Sequence, residues 1–446
     1  MSEIIKIKRG LDIKLQGKAE KTIIKIGSSD FYAIKPTDFI GLIPKLNVKA
    51  GDPVKVGTPL FFDKNRPEIK FVSPVSGKVT DVSRGEKRKI LSVIVESDGK
   101  NDSVLFTPAD PSELTPQRVT ELLLESGNWP FIRQRPYNVI ADPAQKPKSV
   151  FISGFDSAPL AADIDFVMKD SLKEFQTGVN ALKKLTDGKV HLSLLKDSVL
   201  SGTRNVDIHY FSGPHPAGNV GIQIHHIDPI NKADVVWVVS PQNVASIGKL
   251  FLEGVFDNNL IIALTGSELL KTAYTKVIRG TSVASLIKEN VKSGELRYIS
   301  GNVLSGTQVM KDGFLGFYDN QFCVIPEGKY FDFLGWALPG LDKFSTSRSF
   351  FSWLSPSKQY ALDTNLKGGE RAYVMTGQYE QVLPMDIYPV QLIKAILAEN
   401  IDKMEQLGIY EVVEEDLALC EFVCTSKVEV QHILRKGLDL IKKEME

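Results

Sequence analysis

Apolar positions along this chain change their period from one stretch to the next, and each change marks a different kind of element. Residues 34–95 carry short runs cut by glycine and proline, among them Phe39-Ile-Gly-Leu-Ile-Pro44, Phe71-Val-Ser-Pro-Val-Ser-Gly-Lys-Val79 and Ile90-Leu-Ser-Val-Ile-Val95. Runs of this length and punctuation predict an all-β module. At Pro116 the spacing becomes helical: Val119, Leu122 and Leu123 share one face of a helix that starts on proline and stops near Gly127. A proline-rich connector over 136–147 then leads into alternation. Val150-Phe-Ile-Ser153 reads as a strand, 163–185 as one or two helices, 190–195 as a strand, Asp234-Val-Val-Trp-Val-Val239 as a buried strand and 243–252 as a helix. Strands alternating with helices predict a mostly parallel, Rossmann-like sheet.

Short strands return at Leu260-Ile-Ile-Ala-Leu264, Lys276-Val-Ile278, Leu296-Arg-Tyr-Ile299, Phe314-Leu-Gly-Phe-Tyr318 and Phe322-Cys-Val-Ile325, with one helix near 281–287. One helix on a small mixed sheet is a β-grasp-like pattern, similar to SLBB domains. A loop-rich stretch over 338–366 is heavy in Phe, Ser and Trp, and 388–404 and 414–446 read as helices separated by Gly408. The predicted fold is an α/β multidomain chain: a barrel-sandwich β module with an N-terminal extension (1–110), a Rossmann-like domain (111–256), a β-grasp domain (257–330), a connector (331–380) and a C-terminal helical region (381–446).

Composition narrows the function classes. A length of 446 residues is enough for about three domains with cores of their own. The 54 basic residues balance 54 acidic ones, so no global field attracts nucleic acid, and none is expected as a partner. The longest apolar runs are five residues, against the ~20 of a spanning helix. Three cysteines and no secretory pattern after Met1 lead us to expect a reducing, cytoplasmic setting without disulfides.

Cofactor motifs are absent where the fold would invite them. No Gly-x-Gly-x-x-Gly follows a predicted strand and no Gly-x4-Gly-Lys-Ser/Thr occurs. Gly213-Pro-His-Pro-Ala-Gly218 has prolines where a phosphate loop needs N–H donors, so it reads as a rigid turn. The Val-x-x-Gly-Asp-x-Val-x-x-Gly-x-x-Leu and Ser-Pro-x-x-Gly-x-Val pieces of the first module resemble biotinyl and lipoyl carriers. Lys64, the nearest counterpart of the carrier lysine, stands at the wrong spacing and is expected to be an exposed turn residue. His209, His215, His225 and His226 lack the i, i+4 pattern of a helical zinc site, and His225 and His226, read as strand residues, would point to opposite faces. Cys420 and Cys424 lie one helical turn apart and read as small buried hydrophobes, since a cubane cluster needs four thiolates. No residue is assigned a catalytic or metal-ligating role.

Six separated motifs then occur together: Gly85-Glu-Lys-Arg88, Phe211-Ser-Gly-Pro-His-Pro-Ala-Gly218, Ala245-Ser-Ile-Gly-Lys-Leu-Phe251, Ser300-Gly-Asn-Val-Leu-Ser-Gly306, Gly340-Leu-Asp-Lys-Phe-Ser345 and Glu415-Asp-Leu-Ala-Leu-Cys-Glu-Phe-Val-Cys424. In this order they closely resemble the NqrA family, the A-type subunits of Na+-translocating NADH:quinone oxidoreductases, over essentially the whole chain; Thr425 stands where members often have Pro. The resemblance implies a peripheral subunit on the cytoplasmic side of the bacterial inner membrane, with the B-type membrane subunit as chief partner and ubiquinone or menaquinone as substrate. It implies no cofactor on this chain, with FAD, FMN, riboflavin and the iron–sulfur centre in partner subunits. Relatives of the family, the C-type subunit of the Rnf complex and the flavin subunit of complex I, carry a Gly-Gly-Ala-Gly-Phe-Pro-type loop after a helix like 119–124. Here the matching segment is Glu125-Ser-Gly-Asn-Trp-Pro-Phe-Ile-Arg-Gln-Arg-Pro136, which reads as a lost nucleotide site. The alternative is a flavin and iron–sulfur electron-transfer subunit like the C-type subunit of the Rnf complex.

A quinone site needs an apolar slot and donors for the carbonyl oxygens. Trp129, Phe131, Arg133 and Arg135, with His215, are the expected quinone-proximal residues. Phe344, Arg348, Phe350 and Trp353 join aromatic rings with a cation and are the expected subunit interface.

Overall fold

The computed structural model describes residues 4–330, 332–335 and 337–445. Two antiparallel sheets build the N-terminal module: Phe31–Ile34, Ile90–Ser97, Gly77–Arg84 and Pro53–Val54 in one, and Pro44–Leu46, Pro59–Asp63 and Lys70–Val72 in the other. Val54, Phe61, Phe71, Val79 and Val93 fill the space between them. The chain before this module contributes to both other sheets. Ile4–Lys6 pairs in parallel with Asp207–Ser212, and Glu20–Ile24 with Ala273–Ile278.

The central sheet has seven strands, in the order Ile4–Lys6, Asp207–Ser212, Lys189–Leu194, Ser149–Ser153, Val236–Val238, Arg133–Arg135, Val139–Ile140. The first five run parallel, and the last two form an antiparallel hairpin at the edge. From Ser149–Ser153 the chain passes to Lys189–Leu194 on one side and later to Val236–Val238 on the other, so a crevice opens beyond the ends of Ser149–Ser153 and Val236–Val238. Helices Leu172–Lys184 and Pro241–Glu253 cross at two glycines. A Cβ on Gly178 would lie 1.9 Å from the Val244 carbonyl oxygen, and one on Gly248 would lie 1.8 Å from that of Glu174. Only glycine allows so close an approach.

A third sheet of six strands carries the short helix Val283–Ile287, with Leu260, Val283, Leu286 and Phe322 in its core. Two elements here differ from the sequence expectation. Thr307–Val309 is an added strand, while 314–318 is loop apart from one bridge between Ser282 and Phe314. Its amides are bound elsewhere: Leu315 N–H donates to the Thr281 carbonyl, Gly316 N–H to Ser300 Oγ and Phe317 N–H to Asp38. They are not available to a ladder.

Helices Tyr379–Val382, Pro389–Leu397, Ile401–Gln406, Ala418–Val423 and Val430–Met445 form the C-terminal region. The expected helix over 388–404 breaks where Glu399 takes φ 50° and Asn400 caps the next helix through Lys403 N–H. Its core is continuous with the central sheet, since Met404, Leu417 and Leu434 cluster with Phe151, Phe211 and Val236. None of the described helices is long and apolar enough to cross a membrane.

Candidate functional site

The crevice beyond Ser149–Ser153 and Val236–Val238 is a cleft of about 140 Å³ where three regions of the chain meet. Ser153 and Asp156 follow one strand, Ser240 and Pro241 open the helix after the other, and His215 and Asn219 come from the turn before helix Val220–Ile227. Asn302, Ser305 and Asn320 enter from the third sheet, and Glu415 and Ala418 from the C-terminal region. The Ser240 side chain makes no cap bond at the start of helix Pro241–Glu253.

Arg133 ends the wall on the edge-strand side. Its guanidinium lies 4.9 Å over the Tyr318 ring and donates to Asn138 Oδ1 at 3.2 Å, and it has no carboxylate partner among the described residues. His215 is held from three sides. Its backbone N–H donates to Asp12 at 2.9 Å, its ring Nδ1 lies 3.0 Å from Ser157 Oγ, and Ser157 Oγ accepts from Gly218 N–H at 2.7 Å. Burial pushes the imidazole down to about 4, so it is neutral at neutral pH. Its Nε2 has no partner among the described residues. Asp156 Oδ1 accepts from Ala158 N–H at 2.8 Å, and burial raises this carboxyl above its usual range, helped by Glu415.

The other residues expected beside the quinone lie in the interior. Trp129 is fully buried, donates from Nε1 to the Ala141 carbonyl at 2.8 Å and meets Trp237 edge to face at 5.4 Å. Phe131 stacks between Phe256 and Phe317, with the Arg279 guanidinium 4.5 Å from its ring. Arg135, 2% exposed, donates to Asp416 at 2.8 Å and to Glu415 at 2.5 Å, tying the edge strand to the C-terminal region. Gly127 has φ +77°, and a Cβ there would lie 2.4 Å from Val72. The first module thus fills the space beside it.

The histidines do not gather into one centre. His191 Nδ1 and His209 Nε2 pair at 3.0 Å on adjacent strands. His225 and His226 sit on helix Val220–Ile227, not on a strand, because buried Val220, Ile222, Gln223 and Ile224 give that element two covered faces and hide its period. His225 Nδ1 lies 2.8 Å from Glu411 and its Nε2 accepts from Asp386 N–H at 3.1 Å. Cys420 and Cys424 are buried as expected for packing residues, and burial raises the Cys420 thiol. Among the described residues no group of three or more His, Cys, Asp or Glu is arranged to hold a metal. Lys64 is an exposed turn residue.

In the expected interface, Phe344 turns inward against Tyr360 at 5.6 Å and Phe422 at 5.9 Å. Arg348 lies over the half-exposed Trp353 ring at 5.3 Å, and Phe350 is half-buried under Lys343. Sequence reasoning missed Asp156, Asn302, Ser305, Asn320 and Glu415 as cleft residues. A signal existed for four of them: Asp156 follows a predicted strand end, and Asn302, Ser305 and Glu415 stand in family motifs.

Three family models match in chain order: the NqrA N-terminal barrel-sandwich hybrid domain over 5–98, the NqrA second alpha/beta domain over 114–256 and the NQRA C-terminal domain over 261–311. Among curated relatives, the A-type subunit of the Na(+)-translocating NADH-quinone reductase of Yersinia pestis bv. Antiqua (strain Angola) is 38% identical over 446 residues, covering 99% of this chain and 100% of that one. That of Rhodopirellula baltica is 38% identical over 99% of this chain and 98% of its own. That of Pasteurella multocida is 37% identical, covering 99% and 100%. A solved NAD+-reducing [NiFe]-hydrogenase is similar at a TM-score of 0.38 and 10% identity, covering 75% of this chain and 64% of that one, too weak a likeness to bear on function.

Proposed function

The chain belongs to the NqrA family, the A-type subunits of the Na(+)-translocating NADH-quinone reductase, and from that premise we propose that it supplies the complex with a quinone-contacting cleft and with docking surface. It works on the cytoplasmic face of the bacterial inner membrane, chiefly against the B-type membrane subunit. NADH oxidation, the flavins and the iron–sulfur centre belong to partner subunits, and the isolated chain carries none of them. The central sheet is read as Rossmann-like without a nucleotide, the third sheet as β-grasp, and the domain limits as 1–110, 111–256, 257–330, 331–380 and 381–446.

The observation that carries the quinone reading is the cleft itself. A cavity of ~150 Å³ holds one benzene ring, so the cleft, at about 140 Å³, takes at most one ring of a quinone head, whose substituents and tail stay outside toward solvent or a partner. Quinone reduction places negative charge on the two carbonyl oxygens. Arg133, a cation without a carboxylate partner among the described residues, and neutral His215, through Nε2–H, are the two donors at hand. Trp129, Phe131 and Arg135 hold the wall in place from behind. In the purified complex, Arg133→Ala should raise the KM for quinone by about 10- to 100-fold, as loss of a charged hydrogen bond does. Electron transfer from NADH to an artificial acceptor at the flavins should stay unchanged. An unaltered quinone KM overturns the assignment.

A further inference from the structure

The loop between residues 327 and 364 is closed at its base and bare at its tip. At the base Glu327 accepts from Arg297 at 2.7 and 2.6 Å and from the Thr364 hydroxyl at 2.7 Å. Gly328 N–H donates to Thr364 at 2.9 Å, the Tyr330 hydroxyl to Asp363 at 2.5 Å, and Tyr360 exchanges backbone bonds with Lys14 and Gln16. These ties fix where the loop leaves the body, which an unspecified surface loop does not need.

Beyond them the tip exposes several large apolar side chains within about twenty residues. Phe333 is 88% exposed, Leu341 60%, Phe351 57%, Trp353 48% and Leu354 63%. Apolar residues this dense mark a contact surface. Its carboxylates are already paired, Asp332 with Lys343 at 2.8 Å and Asp342 with Lys358. Arg348 has no carboxylate partner among the described residues and rests on Trp353. Across 345–350 no backbone N–H donates to any described residue, and the hydroxyls of Ser345, Ser347 and Ser349 bond one another or the local backbone.

We infer that this tip seats a partner protein of the complex whose surface is apolar, offers acceptors to the 345–350 amides and sets a carboxylate opposite Arg348. The inference rests on the reading that the chain works inside a multisubunit complex. Two observations favour a protein over a bilayer. Unpaired amides are not tolerated in hydrocarbon, whereas a protein surface can pair them. Over 332–355 Lys343 and Arg348 balance Asp332 and Asp342, which leaves no net charge to draw the tip to anionic headgroups. Arg and Trp stacked together within an apolar segment are also residue types favoured at the energetic centre of a protein interface.

The test uses the membrane complex purified through a tag on this chain. Phe351→Ser with Leu354→Ser, and separately Arg348→Glu, should lower co-purifying partner subunits by about tenfold or more, while the isolated variants keep the wild-type far-UV spectrum and thermal midpoint. Leu105→Ser and Leu270→Ser, at residues 76% and 64% exposed far from the tip in sequence, should leave assembly unchanged. Wild-type yield from both tip variants overturns the inference. So does flotation of the isolated wild-type chain on phosphatidylcholine–phosphatidylglycerol vesicles that the tip variants abolish, which would name lipid as the occupant. A wild-type dimer that the tip variants make monomeric would name a second copy and overturn it equally. None of these results bears on the quinone KM of Arg133→Ala, so the two readings fail separately.

Discussion

At the scale of single residues, Arg133 and Arg135 stand two positions apart on one strand and look alike in sequence, yet the structure separates their work. Arg133 meets the cleft, while Arg135 is locked to Asp416, 281 positions away. That partner was not legible from local sequence, because nothing near position 135 announces a carboxylate from the far end of the chain. Removing one member of a buried pair leaves the other charge uncompensated, so Arg135→Ala should cost about 3–5 kcal/mol in denaturant unfolding. A loss under ~1 kcal/mol would mean that the pair does not hold the C-terminal region. His215 gives a pH signature. Its folded value of about 4 lies below the ~6.5 of an unfolded histidine, so between these limits the unfolded chain binds more protons. Stability is full above pH ~6.5 and falls, by about 3 kcal/mol, as pH drops toward 4. Asp38, raised to about 6 by burial, acts with the opposite sign over pH ~4–6, where the folded state binds more protons. Comparing wild type with His215→Gln removes that common background, and the variant should show a flatter decline. Parallel pH profiles of unfolding free energy would contradict the assignment.

At the scale of elements, much of the alternation of strand and helix over 150–252 was legible, because the strands are short runs buried on both faces and the longer helices keep a helical period. Ser149–Ser153, Lys189–Leu194, Val236–Val238 and Pro241–Glu253 all lie where the pattern placed them. Reading failed where tertiary partners took over the backbone. Residues 314–318 have strand-like composition, but their amides serve Thr281, Ser300 and Asp38. Helix Val220–Ile227 was hidden by burial on more than one side. The two glycines between Leu172–Lys184 and Pro241–Glu253 are the most exacting packing point of the central domain. Gly248→Ala should destabilise by about 1–3 kcal/mol, the usual range for overpacking. A thermal midpoint equal to wild type would show that the helices part without cost.

At the scale of the whole molecule, the cleft was the least legible feature. It is assembled from 133, 153–156, 215–220, 238–241, 302–305 and 415–418, and no local pattern says that these segments converge. The order of the family motifs told which protein class this is, and the topology told where its crevice lies. Gly127 is packed against Val72, and Cys420 and Cys424 are buried, which accords with the proposal that the redox cofactors sit in partner subunits. The central claim is that quinone reaches this chain at the cleft. It is tested most directly by irradiating the intact complex with a photoreactive quinone and mapping the adducts by mass spectrometry. Peptides spanning Arg133, 213–220 and 302–305 should be labelled, and excess substrate quinone should suppress the labelling. Labels confined to other subunits, with none on this chain, would contradict it.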